Sequence, residues 1–369
     1  MKINSGIFAV ALPLMLGLAL LTGCGRSPDP LKGEGKITGS TSDPAAPLRV
    51  NWSLTNRYVY RVETTLYNDI ITKSKAVPVA QETTLALEYA LQIFRTNVDG
   101  RRQFDMEILS AALNLTRNGE LLVSYDTDNR AFMLDDSDFS ETLRNIKGAH
   151  LTCVITPSNT VERLDGVSGL IGRINGGKPA ALKTVTYLRS ASMLKGMITD
   201  QFFRQLMDWS FLPEDPVRIG LHWPAQRGFA TNPMDGGSAV ADLSCTFKGW
   251  QKRGEDKCAV VDFSGKTRGM GRPSKGILGF FSGAKPSELS GRFWLHGEWN
   301  IPMALICSHE SSFEYSGARA QPVPPPKGTG SNAVAAVSVT TNVPSGPTQT
   351  LATRQFTVIE LLEAGPRAN

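Results

Sequence analysis

Apolar and polar residues alternate with a period of two along most of the chain from residue 57 onward. Tyr58, Tyr60 and Val62 alternate with charged side chains at positions 57, 61 and 63. The same period recurs in residues 85–93, 104–108, 121–125, 151–155 and 161–164. Because successive side chains of a β-strand point to opposite faces, this alternation predicts half-buried strands. Turn sequences such as Asn118-Gly119 separate the runs, so an antiparallel meander is expected.

A helical period replaces the alternation between residues 179 and 211. The apolar residues with helical spacing are Leu194, Met197, Ile198, Phe202, Leu206 and Trp209, with Leu182, Val185 and Leu188 upstream. They predict one long helix or two short ones between Pro179 and Ser210, and Pro213 and Pro216 end the pattern. An amphipathic helix beside a sheet covers one sheet face, or it forms a lid over an apolar cavity.

Alternation returns after residue 212 and repeats the plan of the first part. Residues 239–247 alternate, a polar turn contains Gly254, and residues 258–263 form the return strand. A further hairpin turns at residues 300–302, and the final strands are predicted at 333–340 and 350–362. The predicted fold is mainly β (α+β). A large curved antiparallel sheet or half-barrel consists of two similar halves, residues 49–178 and 212–369, with the helical segment 179–211 packed on one side.

Residues 1–24 have the layout of an export signal. Lys2 is positively charged, and residues 7–21 are all apolar or small. The run is shorter than the about 20 residues that span a bilayer, and it contains Pro13 and Gly17. Removal of residues 1–23 is therefore predicted.

The last four residues of this segment, Leu21-Thr22-Gly23-Cys24, resemble the lipobox of bacterial lipoproteins. The resemblance covers only the export segment. It implies that Cys24 is the first mature residue, with a diacylglyceryl group on its thiol and an acyl group on its amino terminus. Two alternatives stay open on the residues alone: a signal peptide that is cut elsewhere, with Cys24 a free thiol, or an uncleaved N-terminal anchor.

Residues 24–48 are predicted to be a flexible tether. They are rich in Gly, Ser, Pro and Asp and contain almost no bulky apolar residue, so they bury too little surface to fold. In the lipoprotein family an aspartate directly after the cysteine favours retention in the inner membrane, whereas this chain has Gly25. The resemblance thus implies a cell-envelope protein that is held by its lipid, in the outer membrane facing the periplasm.

The body resembles a broad group of uncharacterised, β-rich bacterial lipoproteins. The resemblance lies in Leu212-Pro213, Pro216-Val217, Gly220 and Trp223, where a helix leads into the second half of the sheet. An acidic residue often follows the glycine in that group, and Leu221 departs from this pattern. The resemblance extends loosely over residues 50–363 and implies no particular activity.

Charge and cysteine content narrow the possible partners. Loss of residues 1–23 removes Lys2 from the 39 basic residues, which leaves 38 against 34 acidic ones, a net charge of +4. The basic residues are scattered, which argues against nucleic-acid binding. Four cysteines other than Cys24 would allow two disulfides in an oxidising compartment. We predict a pair between Cys245 and Cys258, with two buried free thiols as the alternative.

The candidate chemical groups are few. One predicted hairpin contains His296, Glu298, Cys307 and His309. Strand parity places two of them on each face, whereas a zinc site needs about four convergent ligands. The acidic residues at 126–138 lack the order of a calcium loop, and no Gly-x-Ser-x-Gly pentad is present. No metal, cofactor or catalytic set is predicted.

The sequence therefore predicts a membrane-anchored envelope lipoprotein that acts without catalysis, as a scaffold or binding module for an envelope protein. One alternative is a carrier of an apolar ligand, similar to the lipid and lipoprotein carriers of the envelope. A second alternative is a hydrolase of unrecognised type, which would need a Ser or a carboxylate within hydrogen-bond reach of a histidine.

Overall fold

The structure is a computed structural model, and it describes residues 35–72, 79–128, 142–174, 194–231, 238–269, 287–316 and 348–366. The strands of the first half are β1 (Asn56–Thr72), β2 (Val79–Thr96), β3 (Arg102–Arg117), β4 (Glu120–Asp126), β5 (His150–Ile155) and β6 (Val161–Asp165). Two helices follow, α1 (Val167–Ile174) and α2 (Asp200–Met207). The remaining strands are β7 (His222–Ala230), β8 (Ser238–Arg253), β9 (Asp256–Gly269), β10 (Ser287–His296), β11 (Pro302–Ser316) and β12 (Thr348–Pro366).

These strands form one curved antiparallel sheet that does not close. The order is β6-β5-β3-β2-β1-β12-β11-β10-β9-β8-β7, with β4 paired to β3 beside this path. The last strand, β12, pairs with both β1 and β11 and so joins the two halves in the middle of the sheet. The predicted large curved antiparallel sheet is confirmed.

Helix α2 bridges the two outer strands of this order, β6 and β7. Arg204 Nη1 donates to the Val161 carbonyl of β6 at 3.0 Å. On the other side, the backbone N–H of Ala230 in β7 donates to Gln205 Oε1, also at 3.0 Å. The helix begins after Thr199, whose hydroxyl accepts from the Phe202 N–H. The predicted helical cover is therefore present, and it lies between the two ends of the strand order.

The helical boundaries differ from the prediction. Within the predicted span, the structure describes α2 and a helical turn at residues 194–197, whereas Leu182, Val185 and Leu188 lie outside the described residues. Helix α1 was not predicted, because Gly169 and Gly172 lower its helix propensity. Burial of Val167, Leu170 and Ile174 on one face stabilises it instead. In the described ranges, no helix is both long and apolar enough to cross a membrane.

Part of the segment assigned to the tether packs against the body. Thr38 forms a bridge with Trp250, Ala46 forms one with Val217, and Leu48 is buried. Gly249 has a φ of +123°, and a β-carbon there would lie 2.4 Å from the Thr38 carbonyl oxygen. Glycine at this bulge of β8 lets the N-terminal segment approach the strand. The folded body thus begins before residue 49.

The predicted pairing of Cys245 with Cys258 is not present. The hairpin turns at residues 254–255, so the register pairs Cys245 with Phe263 and Cys258 with Gln251. Cys245 belongs to the main core, and Cys258 lies in a smaller cluster around Trp294. The symmetric register that the prediction required is therefore wrong. All four described cysteines are buried free thiols.

Candidate functional site

The candidate site is built around Arg227, in the middle of β7. Alternate residues of this strand pack against the core, and Arg227 takes one of these positions between Ala225 and Phe229. Only 3% of the arginine is exposed. Its guanidinium carbon lies 5.2 Å from the ring centre of Trp209, 4.9 Å from that of Phe211 and 5.1 Å from that of Phe229. Three aromatic rings therefore surround a buried cation.

The guanidinium has fewer hydrogen bonds than its burial requires. Nη2 donates to the backbone carbonyl of Gln205 near the end of α2. Within the part of the chain that the structure describes, Nε and Nη1 have no hydrogen-bond partner. Among the ion pairs of the described residues, none includes Arg227. A buried N–H without an acceptor costs about 1–3 kcal/mol, and more for a charged group, so these two nitrogens are a feature that needs a physical explanation.

Burial lowers the pKa of Arg227, and the carboxylate of Asp208 acts in the opposite direction. The Asp208 carboxylate is itself engaged, because its Oδ1 accepts from the backbone N–H of Ser210 at 3.0 Å. An arginine keeps its proton in proteins. The inner face therefore contains a positive charge with no contacting counter-charge among the described residues.

A small cavity lies next to Arg227. The space open to the centre of a water molecule is about 10 Å³, about enough for one water-sized group. Its polar lining consists of Gln205, Arg227, Cys307, His309, Gln355 and Thr357, and its apolar lining of Phe229, Ala230, Leu289, Leu305 and Ile359. The Nε2 of Gln205 and the Oε1 of Gln355 also have no hydrogen-bond partner among the residues that the structure describes.

The curvature of the second half brings these residues together. Strands β7 and β12 are five positions apart in the order of the sheet. Even so, Gln355 Nε2 of β12 donates to the Ala230 carbonyl of β7 at 2.9 Å. The second half therefore curls until β7 faces β12, and α2 supplies Gln205 to the same place. Residues from the two ends of this half thus line one cavity.

His309 lines the cavity and contacts two hydroxyl groups. Its Nε2 lies 2.9 Å from Ser287 Oγ and 3.3 Å from Thr267 Oγ1. Burial lowers the pKa of His309 to about 4, so the imidazole is neutral at pH 7. A Ser–His pair of the kind a hydrolase needs is present, but such a low pKa makes the imidazole a weak base. The hydrolase alternative stays a prediction.

His296, Glu298, Cys307 and His309, which the sequence analysis weighed and rejected as a metal site, have separate surroundings in the structure. His296 Nδ1 accepts from the backbone N–H groups of Glu298 and Trp299, and its ring stacks on Trp299. Cys307 and His309 lie on the inner face beside the cavity of Arg227. Across the residues that the structure describes, no three possible ligands form a metal-binding group.

The acidic stretch at 126–138 is only partly described. The Asp128 N–H donates to Asp126 Oδ1, and Asp128 also pairs with Lys147. Asp135, Asp136 and Asp138 lie outside the described residues. The two described carboxylates therefore have local partners, as a turn requires.

A second concave surface lies elsewhere on the second half of the sheet. This groove has a volume of about 450 Å³. Its lining is His222, Ser244, Thr246, Asp262, Phe263, Ser264, Ser290, Gly291, Arg292, Ile306, Ser308 and Phe356. The guanidinium of Arg292 donates to both carboxylate oxygens of Asp262, at 2.6 and 3.0 Å. The cation of this groove is therefore paired, unlike Arg227.

Arg227 was not among the predicted site residues, although the sequence contains a signal for it. Trp223, Ala225, Arg227 and Phe229 share one strand parity, and three of the four are apolar. A charged residue at an inward position is unusual, because burial of a charge is costly. Strand parity alone would have singled it out. The missing partners depend on α2 and β12, which local sequence does not place.

Comparisons with known proteins found similarity to solved structures alone. No protein-family model matches the sequence, and the curated proteins contain no match. A structure of lipovitellin, described under lipid–protein interactions, has a TM-score of 0.45 and 7% identity, and the match covers 86% of this chain. This chain spans 26% of the length of that lipovitellin chain.

Two bacterial structures match over most of both chains. A DUF1329 family protein from Desulfovibrio piger has a TM-score of 0.18 and 10% identity, covering 85% of this chain and 87% of that one. A putative outer membrane lipoprotein-sorting protein domain from Vibrio parahaemolyticus has a TM-score of 0.14 and 8% identity, covering 83% and 86%. At these values the similarity carries no activity over to this protein.

Proposed function

We propose that this protein is an envelope lipoprotein, tethered through Cys24, that binds an apolar ligand between its curved sheet and helix α2. Support for the tether comes from the lipobox resemblance and the Gly- and Pro-rich segment that follows it. Support for the ligand comes from the shape and lining of the inner face. The scaffold role and the hydrolase alternative remain predictions from the sequence.

One observation carries the proposal: α2 covers an apolar inner face and is attached by few polar contacts. Phe202, Phe203 and Leu206 of the helix are buried in the core. Among the described residues, its hydrogen bonds to the sheet involve the side chains of Arg204, Gln205 and Arg227 and no others. The strands, in contrast, are joined by continuous ladders. Because no backbone ladder joins α2 to the sheet in the described residues, we take α2 as the part that moves to admit a ligand.

Movement of α2 would expose a large aromatic surface. Trp209 and Phe211 follow the helix and pack against Phe293 at ring distances of 5.0 and 5.6 Å. Phe263 packs on Phe211 at 5.7 Å. The described cavity is about the size of one water, so an apolar ligand would take the place of these side chains. Burial of the ligand surface, at about 25 cal/mol per Å², would offset the aromatic packing that is given up.

The proposal can be tested on the full chain in its own membrane. Cells that express it are given a photoactivatable fatty acid, which enters their lipids, and labelled peptides are mapped by mass spectrometry after illumination. We expect labels on inner-face peptides that contain Leu289 and Leu305, beyond any label at Cys24. Labels confined to residues 24–48 would contradict the proposal, because they would mean that only the tether meets lipid.

A crosslink that fixes α2 makes the same test sharper. A β-carbon at Gly228 of β7 would lie 3.1 Å from Cδ of Gln201 in α2. In the double variant Gln201→Cys with Gly228→Cys, oxidation should join the helix to the strand. Burial raises the pKa of Cys153, Cys245 and Cys307 to about 12, which keeps these thiols unreactive.

We expect oxidation of this variant to reduce inner-face labelling by roughly tenfold, a change of about 1.4 kcal/mol, and reduction to restore it. The single variant Gln201→Cys is the matched control and should label as the wild type does under both conditions. Equal labelling of the oxidised and reduced double variant would contradict a role for α2 as the moving cover.

The tether has its own test. Radiolabelled palmitate should appear on the wild type and not on the variant Cys24→Ala. A wild-type chain without radiolabel would remove the basis for lipid anchoring, without affecting the proposal for the inner face.

A further inference from the structure

We propose that the cavity beside Arg227 binds a small monovalent anion, either chloride or one oxygen of a carboxylate, and that this anion neutralises the buried guanidinium. We further infer that this anion is the charged end of the apolar ligand. This part of the inference rests on the function proposed above. The same chemistry could also be met by a small free anion.

Arg227 is a buried charge with unused donors. It is 3% exposed and lies among three aromatic rings, and its Nε and Nη1, which carry three N–H groups, have no hydrogen-bond partner among the described residues. A water molecule in the cavity could accept hydrogen bonds from these groups, but it would bring no negative charge into contact with the guanidinium. A buried charge without a partner is strongly unfavourable, whereas a charge-assisted hydrogen bond to an anion is about twice as strong as a neutral one. An anion would therefore provide both the missing hydrogen-bond acceptors and the missing negative charge.

The other residues that line the cavity also favour an anion. Gln205 Nε2 is a further unpartnered donor at the same cavity. The N–H groups of Arg227 and Gln205 thus provide donors of the kind that hold a carboxylate. His309 contributes no charge, because burial lowers its pKa to about 4. No described carboxylate side chain lines the cavity to repel an anion.

The volume of the cavity and the position of its apolar lining limit the class of ligand. The cavity accommodates about one water-sized group, which suits chloride or a carboxylate oxygen better than a phosphate group with four oxygens. Beyond the polar groups the lining is apolar, with Leu289, Leu305 and Ile359. An acyl chain attached to the carboxylate would extend along these side chains. A fatty acid or another acyl carboxylate is therefore the ligand class that fits both parts.

The test compares ligands with the same chain and different ends. The full chain, kept in solution by an uncharged amphipathic polymer, is titrated with octanoate, octan-1-ol, acetate and chloride. Binding is measured by calorimetry, and the midpoint of thermal unfolding is recorded with each ligand. The variants are Arg227→Met and, as a matched control, Arg354→Met. Arg354 lies on β12 beside Gln355, and its side chain is 61% exposed.

We expect octanoate to bind the wild type and Arg354→Met at least tenfold more tightly than octan-1-ol does, because a charge-assisted hydrogen bond is about twice as strong as a neutral one. In Arg227→Met this preference should disappear. Acetate and chloride that raise the unfolding midpoint of the wild type and not of Arg227→Met would support the anion site as well. If octanoate then bound no better than acetate, the site would bind a small anion from solution. That result would contradict the proposal that the anion is the end of an apolar ligand.

Equal affinity for octanoate and octan-1-ol, together with no effect of acetate or chloride, would overturn the anion site. Binding of both eight-carbon ligands in that case would leave the proposed function intact. The wild type alone decides these outcomes, so the test holds even if Arg227→Met does not fold. An octanoate preference that persisted in a folded Arg227→Met would also overturn the proposal, since another group would then provide it.

Discussion

The two halves of the sheet bury polar groups of different kinds on their inner faces. In the first half these groups include Tyr60 and Tyr89, whose rings stack at 5.7 Å. The Tyr60 hydroxyl donates to the Pro302 carbonyl at 2.9 Å, and burial raises the pKa of both tyrosines. In the second half the corresponding interior contains Arg227. A phenol becomes more stably neutral on burial, whereas a guanidinium stays charged.

This difference distinguishes the first half, whose interior is uncharged at these positions, from the second half, which contains the candidate site. The first half buries neutral groups, so even the Tyr89 hydroxyl, which has no hydrogen-bond partner among the described residues, leaves no charge to compensate. The second half has a cation and a cavity at the point where α2 meets β7, and the Nε2 of Gln205 there has no partner among the described residues. The same curved architecture therefore surrounds neutral phenols on one side of β12 and a buried cation beside a cavity on the other.

The largest expected effect is on stability, in the first half. Phe104 is fully buried and meets the edge of Trp52 at 5.6 Å. Phe104→Ala should lower the free energy of unfolding by about 3–5 kcal/mol, because it removes apolar contacts and leaves a cavity. Chemical denaturation measures this change. The preference for octanoate over octan-1-ol should stay the same. A loss of that preference would mean that the halves do not act separately.

The second prediction concerns acid sensitivity of the second half. The pKa of His309 is lowered to about 4 in the folded protein, against about 6.5 unfolded. As the pH falls from 6.5 to 4, the unfolded state gains a proton that the folded state does not take. Stability therefore falls across this window, by about 3 kcal/mol from this group.

The variant His309→Gln should lack that part of the loss. Denaturation at pH 7 and at pH 4.5 would give the difference for each protein. A variant that loses as much stability as the wild type between these two values would contradict the burial of a neutral imidazole at this position.

The third prediction concerns Arg227 without ligand. Arg227→Met replaces an uncompensated buried charge by an apolar side chain of similar length. We expect the free energy of unfolding to stay level or to rise by about 1–3 kcal/mol, as for other buried charges replaced by apolar groups. A fall of more than about 2 kcal/mol would show that the bond to Gln205 makes Arg227 a structural residue.

Arg354→Met gives the smallest effect and calibrates the others. Arg354 Nε lies 3.1 Å from Glu310 Oε1, and both side chains are more than 60% exposed. Exposed ion pairs of this kind contribute about 0–1 kcal/mol. A larger change in the denaturation midpoint would mean that charge on β12 matters beyond its local pair.

Local patterns predicted the fold better than they predicted the site. Alternation identified β1 through Tyr58 and Tyr60, and helical spacing identified α2 through Phe202 and Leu206, because these signals depend on which face of one element is buried. The Cys245–Cys258 pair was wrong, because register depends on where the hairpin turns. Helix α1 was missed, because tertiary packing stabilises it despite its low intrinsic helix propensity.

The site depends on distant contacts, which explains why the sequence did not disclose it. Arg227 meets the end of α2, and Gln355 reaches Ala230 over 125 residues of sequence. Cys307 and His309 were considered as metal ligands with the residues of their own hairpin, whereas in the structure they share a cavity with Arg227. Curvature of the sheet creates this neighbourhood, and curvature is a property of all its strands together.

The most direct test of the central claim is the ionisation of a bound carboxylate. Octanoate labelled with carbon-13 at the carboxyl carbon would be titrated from pH 7 to pH 3 on the full chain, and its chemical shift followed by NMR. Beside Arg227 the bound carboxylate should stay ionised to a lower pH than free octanoate, because the guanidinium favours the charged form, and in Arg227→Met this difference should vanish. A bound signal that titrates like free octanoate in the wild type would contradict the account.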